Sequence, residues 1–329
     1  MAPPEEQMAL DELDVMVNAA RSVGASEPES AVVPASPRPD WTVALALAAT
    51  LVLWASAFTA IRYGVREYDP LGLAFARNVV TAVALLGLAL FWKRDIFRSM
   101  AASDWLRLAL AGGVGIALYQ GALITGELSV DAGTASLIIN TSPIFVALFA
   151  LLALREHPGL RGWVGVCMGF VGAAILVSAR HGGAHLEYGA LFVLTASIAQ
   201  ASSFIIQKPL LAKLGPVAVT VWVGVFGALA LAPWASQAWH GLTHASAQGT
   251  LAMIYLGLFP AAIGNLTWAY ALSRLPAGRA ATALYLTAPI AMTISWLSLG
   301  ERPSLQAMLG GGVVIASVML VNLRPRTDR

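Results

Sequence analysis

The sequence predicts an all-α polytopic membrane protein, with ten transmembrane helices arranged as two inverted five-helix repeats and both termini in the cytoplasm. Three observations carry that prediction: the composition, the length of the apolar runs, and a pattern that recurs at a shift of about 145 residues. Hydrophobic residues make up 58% of the chain and charged residues only 12%, and the mean hydropathy of +0.72 lies outside the range of ordinary soluble domains. Roughly 20 apolar residues at helical rise cross the hydrocarbon core of a bilayer. About ten runs of that length are present, near 41–62, 70–92, 106–126, 132–153, 159–178, 187–207, 216–235, 250–272, 278–299 and 304–323. The strand-length alternation of a membrane barrel is not seen.

Residues 1–40 stand apart from the rest. They carry eight Asp or Glu with several Pro and Ser and no membrane-length run. The basic start and apolar centre of a signal peptide are missing, so this stretch reads as an acidic, disordered cytoplasmic tail. Beyond it, the connections are short and built from breakers and charge: Asp69-Pro70, Lys93-Arg94-Asp95, Glu156-His157-Pro158, Lys213-Leu214-Gly215-Pro216 and Glu301-Arg302-Pro303. Sorting Lys and Arg by side puts fifteen with the two termini and four (Arg62, Arg66, Arg180, Arg302) opposite, which sets the termini in the cytoplasm. Arg77 falls inside the second run. Cys167 is the single cysteine, so no intrachain disulfide can form.

The recurrence is the most specific signal. Val130-Asp131-Ala132-Gly133 meets Leu275-Pro276-Ala277-Gly278, Thr141-Ser142-Pro143-Ile144 meets Thr287-Ala288-Pro289-Ile290, and Glu156-His157-Pro158 meets Glu301-Arg302-Pro303. In the first run of each half, Trp54 to Phe58 with Arg62 meets Gln200 to Phe204 with Lys208. The halves are therefore residues 41–178 and 187–323, each with five helices. An odd number forces the second copy to enter the membrane upside down, the plan of alternating-access carriers.

The 5+5 pattern, the Pro in the fourth and ninth helices, the terminal Glu of LREHP and LGERP, and the Gly-rich fifth and tenth helices resemble the EamA type of the drug/metabolite transporter superfamily. The resemblance covers roughly residues 41–323. It implies an exporter of amino acids and other small metabolites, with a central cavity lined mainly by helices one, three, four, six, eight and nine. The His-Pro after Glu156 departs from the commoner basic or polar continuation.

Polar and aromatic groups within the apolar runs nominate a substrate path, because a buried amide in hydrocarbon needs partners or a wet cavity. Ser197, Gln200, Phe204 and Lys208 share one helical face, with Leu51, Trp54, Phe58 and Arg62 as counterparts. Gln120 aligns with Asn265, and Asn140 lies within one position of Tyr285. The candidate substrate-binding set is Trp54, Phe58, Tyr119, Gln120, Asn140, Ser197, Gln200, Asn265, Trp268 and Tyr285; interhelical bonding and packing are the alternative use of each. Arg77 is a candidate vestibule charge, or else it turns outward or bonds backbone carbonyls. Pro143 and Pro289 are candidate gating positions, each removing a backbone donor and leaving a carbonyl open to water or solute. Glu156 and Pro158 mark only the membrane boundary.

No Asp or Glu lies deep in any run, and Glu127 is the best carboxylate for coupling. The pairs His181/His185 and His240/His244 have metal-ligand spacing but no third ligand, so no metal or other cofactor is expected, and no hydrolase or nucleotide-binding motif is present. The expectation is thus an alternating-access exporter of amino acids or related metabolites in a bacterial inner membrane. Its partners would be a small solute and lipid, without nucleic acid. Stripes of small residues (Gly162, Gly165, Gly169 and Gly172, with Gly310 to Gly312 and Ala316) serve packing within the bundle or a homodimer contact. The rival readings are a membrane-embedded enzyme or lipid-acting protein, and a sensor or assembly subunit working through the acidic tail.

Overall fold

The computed structural model describes residues 41–92, 96, 100–127, 138–178, 188–287, 289–290, 293–294 and 305–322. Among them all regular structure is helical. In chain order the elements are α1 (Trp41–Gly64), α2 (Pro70–Trp92), α3 (Ala102–Gly112), a π-helical segment Gly113–Leu118, α4 (Tyr119–Glu127), α5 (Ser142–Leu154), α6 (Gly159–Ser178) and α7 (Tyr188–Ala230). A short 3-10 turn, Ala232–Trp234, leads to α8 (Ala235–His244) and α9 (Ala247–Leu256), then a second π-helical segment Gly257–Gly264, α10 (Asn265–Arg274), α11 (Ala277–Ala283) with the 3-10 turn Leu284–Leu286, and α12 (Leu305–Asn322). Among the described residues, four helical stretches are long and apolar enough to cross a membrane: Pro70–Phe91, Ala102–Gly126, Tyr188–Ala230 and Ala247–Arg274. Leu and Phe side chains such as Phe91 and Leu160, 88% and 81% exposed, point away from the bundle, as expected of helices whose outer solvent is lipid.

α7 is the spine. Gly215 interrupts it with φ 80 and ψ 163, a conformation open to glycine and strained for other residues, and Pro216 supplies no backbone donor there. The two legs occupy the places expected for the sixth and seventh runs. The first leg lies along α4 in antiparallel register: a Cβ on Gly126 would meet Val193 and the Gly189 carbonyl, and one on Gly115 would meet Ser203. The second leg meets α3, where a Cβ on Gly112 would lie 2.7 Å from the Val223 carbonyl oxygen and 2.8 Å from the Gly227 nitrogen.

α1 is joined to α9, the second π segment and α10 by a ladder of polar bonds. Thr42 Oγ1 meets Tyr270 Oη at 2.7 Å, Thr50 Oγ1 meets Thr267 Oγ1 at 2.8 Å, and Ser56 Oγ meets Tyr255 Oη at 2.7 Å. Each such bond in a membrane contributes about 0.6 kcal/mol on average, so the ladder fixes register more than it drives association. α6 packs on α12 through small residues: a Cβ on Gly165 would strike Val321, one on Gly169 would strike the Tyr285 ring, and one on Gly172 would lie 2.8 Å from the Val314 nitrogen and 3.0 Å from the Gly310 carbonyl oxygen. The small-residue stripe of α6 is therefore filled from within the chain at these three positions.

The charged ends are knitted by caps. Asp69 accepts the backbone N–H groups of Leu71 and Gly72 at 3.0 and 3.1 Å, opening α2. Glu67 accepts from the Ser246 N–H and, at 2.8 Å, from its hydroxyl, at the start of α9. The buried Asp104 accepts from the Ala101 N–H and pairs with Lys213, beside the break in α7, at 2.5 Å. Carboxylates at helix N-termini satisfy orphan donors and complement the helix dipole. The α6–α12 contact generates a direct expectation. Gly172→Val should lower the thermal unfolding midpoint in detergent, by an amount equivalent to about 1–3 kcal/mol, because backbone atoms of α12 cannot rotate away. Gly312→Ala, whose Cβ would meet nothing within 4 Å, should hold or slightly raise it.

Candidate functional site

The two π-helical segments single out one region. Gly113–Leu118 and Gly257–Gly264 overlap under the same shift of about 145 residues that aligns the halves, and π turns are rare and concentrate at functional positions. Their sequences explain them locally: Gly112, Gly113 and Gly115 in the first, and Pro260 between Gly257 and Gly264 in the second, weaken the ordinary i to i−4 ladder. Each inserted residue turns the next stretch of helix by roughly 100° relative to a regular one. The side chains re-aimed in this way are Tyr119 and Gln120 in α4, and Asn265 and Trp268 in α10. Gln120 is buried and its Oε1 has no hydrogen-bond partner; Asn265 is half-buried. Interpolating the α4–α7 register sets Gln120 level with Ser197 and Gln200.

Beside them sits an aromatic cluster. The Trp268 ring is 2% exposed and lies between Phe204 and Trp54, with centroid separations of 4.8 and 5.7 Å. Trp54 donates its indole N–H to the Pro260 carbonyl at 3.1 Å, inside the second π segment. Gly264 admits that contact, since a Cβ there would stand 2.8 Å from the Trp54 nitrogen. The Trp268 N–H, by contrast, is buried without an acceptor. Trp54 and Trp268 thus meet each other, rather than standing as separate walls. The Phe58 side chain lies outside the described residues.

The polar face of α7 faces α5 and α10, and its members divide by use. Ser197, fully buried, meets Thr141 Oγ1 at 2.9 Å and donates to the Ile139 carbonyl at 3.5 Å. Ile139 is four residues before Pro143, so this is the carbonyl that the missing proline N–H leaves over. Thr141 Oγ1 takes the neighbouring Ile138 carbonyl at 2.6 Å. Pro143 lies in the first turn of α5, where its lack of a donor is tolerated, and the Ser197 hydroxyl meets the carbonyl it leaves over. Pro289 is helical and its own carbonyl accepts from Thr293 at 2.9 Å. Gln200 and Asn140 are half-buried.

Tyr285 is wholly buried, its hydroxyl donates to the Val166 carbonyl at 3.2 Å, and its ring fills the space over Gly169. It packs between α6 and α12. Arg77, on α2, lies beside Tyr119 with its Nε buried.

Sequence reasoning missed a cluster around Glu156. Arg155 takes the left-handed conformation (φ 56) and ends α5. This turns Glu156 so that its Oε2 accepts the Ala277 backbone N–H at 2.6 Å, capping α11. Lys208 donates to the carbonyls of Leu272 and Leu275 at the end of α10. Glu156 is therefore a tie between α5 and α11, not punctuation alone; its alignment with Glu301 was the available signal. A cavity of about 250 Å³ opens next to it, between Arg161, Arg279, Pro276 and Val321. A larger trough of about 400 Å³, lined by Thr42, Leu45, Ala46, Ala49, Leu266, Thr267 and Tyr270, is apolar and open on the outside of α1 and α10. Neither borders Gln120 or Trp268, so cavity size does not mark the candidate path.

The comparisons with known proteins agree in kind. The model of the EamA-like transporter family matches twice, over residues 41–178 and 187–323. A probable terminal-alkyne amino-acid exporter of Streptantibioticus cattleyicolor is 38% identical over 281 residues, covering 85% of this chain and 93% of the relative. The uncharacterized transporter YdfC of Bacillus subtilis is 34% identical over 275 residues, with 83% and 88% covered. The uncharacterized inner membrane transporter YedA of Escherichia coli K12 is 26% identical over 284 residues, with 84% and 90% covered. A chain of known crystal structure shares the fold with a TM-score of 0.72 at 17% identity, over 86% of this chain and 97% of that one.

The bonds of this region set two expected outcomes. Trp54→Phe, which shrinks the ring and strands the Pro260 carbonyl, should destabilise the protein by about 1 kcal/mol more than Trp268→Phe, which also shrinks the ring but removes an unsatisfied donor, in thermal unfolding without ligand. Glu156→Ala should lower stability by roughly 0.5–2 kcal/mol through the lost cap, read in the same measurement, with Glu156→Gln intermediate. With its helical, multi-pass architecture and the family match over both halves, this chain is a membrane transporter, not an enzyme, and belongs to the EamA-like transporter family.

Proposed function

We propose that the protein exports amino acids or related small metabolites across a bacterial inner membrane by alternating access. Two inverted five-helix repeats, 41–178 and 187–323, rock about a path bounded by the π-helical segments, with both termini in the cytoplasm. The observation that carries this reading is the paired placement of those segments, each followed at matching positions in the two halves by an amide, Gln120 or Asn265. A buried acceptor on Gln120 and a buried donor on Trp268 without partners each cost about 1–3 kcal/mol when left unmade. A solute with both donor and acceptor groups would satisfy them. In this reading Trp268 and Phe204, whose rings are in contact, move apart during passage, as alternating access demands. The amino-acid exporter among the relatives supports the class of cargo.

The test is efflux. Cells expressing the protein and matched controls are loaded with labelled hydrophobic amino acids and with L-propargylglycine, a terminal-alkyne amino acid detectable by azide ligation. Expression should speed loss of label several-fold, Gln120→Ala and Asn265→Ala should each reduce that gain, and deletion of residues 2–37 should leave it intact. Equal efflux in expressing and control cells across the panel would overturn the amino-acid reading. Loss of flux on deleting the tail would instead favour a role for that segment.

A further inference from the structure

We infer that Arg77 forms the carboxylate-binding point of the substrate path, so that the solutes carried bear an anionic group next to a less polar body. This rests on the transporter reading and narrows its substrate class. Arg77 sits seven residues into α2, roughly 10 Å from the helix start at 1.5 Å per residue. An arginine at such depth is costly in a membrane unless something answers its charge. Among the described residues nothing does: the ion pair there is Asp104–Lys213, and the Arg77 Nε is buried with no hydrogen-bond partner.

Its neighbours on α2 show that the missing partner is particular to Arg77. Asn78 donates to the Ala74 carbonyl at 2.7 Å, and Thr81 donates to the Arg77 carbonyl at 2.8 Å and to the Gly257 carbonyl at 2.9 Å. The polar groups around it are thus engaged, while the Arg77 Nε is left over. The location is equally specific. Arg77 lies beside Tyr119, the first residue after one π segment. Its own carbonyl packs on Gly257, the first residue of the other, where a Cβ would approach to 2.8 Å. Arg77 therefore stands where α2 packs on the second π segment, with its side chain beside the residue that follows the first. Guanidinium binds carboxylate through two parallel bonds in a fork that ammonium cannot reproduce. A solute carboxylate docked there would pair the charge, and its remaining polar group and side chain would face Gln120 and the aromatic cluster.

The experiment uses the purified full-length protein in proteoliposomes and in detergent, comparing wild type, Arg77→Gln and Arg77→Lys. Counterflow of labelled L-phenylalanine is inhibited by unlabelled L-phenylalanine or by L-phenylalaninamide, which lacks the carboxylate. The acid should compete at least about tenfold better than the amide in wild type, as expected of a charge-assisted bond. That preference should fall to within about twofold in Arg77→Gln and be partly kept in Arg77→Lys. An undiminished preference in Arg77→Gln overturns the assignment. Should no phenylalanine counterflow be seen in wild type, the amino-acid cargo falls by itself, and the Arg77 assignment is read from ligand-induced thermal shift. A panel of hydrophobic amino acids, hydroxy acids and short fatty acids is scored against their amides. Acid-selective shifts present in wild type and lost in Arg77→Gln support it, and no acid-selective shift, or one retained, overturns it. Unliganded stability separates a structural role: a binding cation left unpaired predicts an unchanged or raised unfolding midpoint in Arg77→Gln, and a marked fall overturns the proposal.

Discussion

Every backbone N–H and C=O inside a bilayer must find its partner within the protein, because hydrocarbon offers none. Most of this structure derives from that constraint. Regular helices meet it along their length, so the chain is helical throughout the regular structure of its described residues, and the exceptions are the informative places. Helix starts are met by Asp69, Glu67, Asp104 and Glu156. The carbonyl left over by Pro143 is met by Ser197, and one inside the second π segment by Trp54. Lys208 takes two more at the end of α10. The polar groups of a very apolar chain are thus mostly engaged in completing its backbone.

The groups outside that scheme gain meaning by contrast. Gln120 Oε1, Trp268 Nε1 and Arg77 Nε are buried and unmatched, and they belong to elements that follow a π segment or pack on one. A protein that meets its proline gap with the Ser197 hydroxyl has not left these atoms open for want of small polar residues. The difference between Trp54, bonded to Pro260, and Trp268, whose N–H has no acceptor, is the sharpest instance: two indoles in contact, one structural and one available.

Much of this was legible in the sequence, for a physical reason. Apolar runs of bilayer length are written residue by residue, and the 145-residue recurrence of Pro143/Pro289 and Gln120/Asn265 needs only alignment of the chain with itself. The amide pair could be nominated because an amide in an apolar run has few harmless uses. The π segments were not legible: glycine and proline weaken a helix, but whether it kinks, breaks or widens depends on what packs against it, here Ser203 on Gly115 and Trp54 on Gly264. For the same reason a regular helical wheel misplaces the residues beyond each widened turn. Self-alignment has its own limit: Tyr285, aligned with the polar Asn140, packs over Gly169. Glu156 was read as a boundary mark because its partner is a backbone N–H 121 positions away, and backbone groups have no signature in sequence.

The tie from Glu156 to Ala277 has a consequence for how the molecule divides its time. It joins the end of one half to a helix start in the other, so any rearrangement that parts α5 from α11 exposes a carboxylate and a bare helix terminus together. An interaction of about 1 kcal/mol held in one arrangement and absent in the other shifts their ratio by roughly fivefold. In the alternating-access reading proposed above, such a contact would add nothing to the affinity for cargo, yet would set which side of the membrane the resting carrier faces, and so how much of the protein stands ready when cargo arrives.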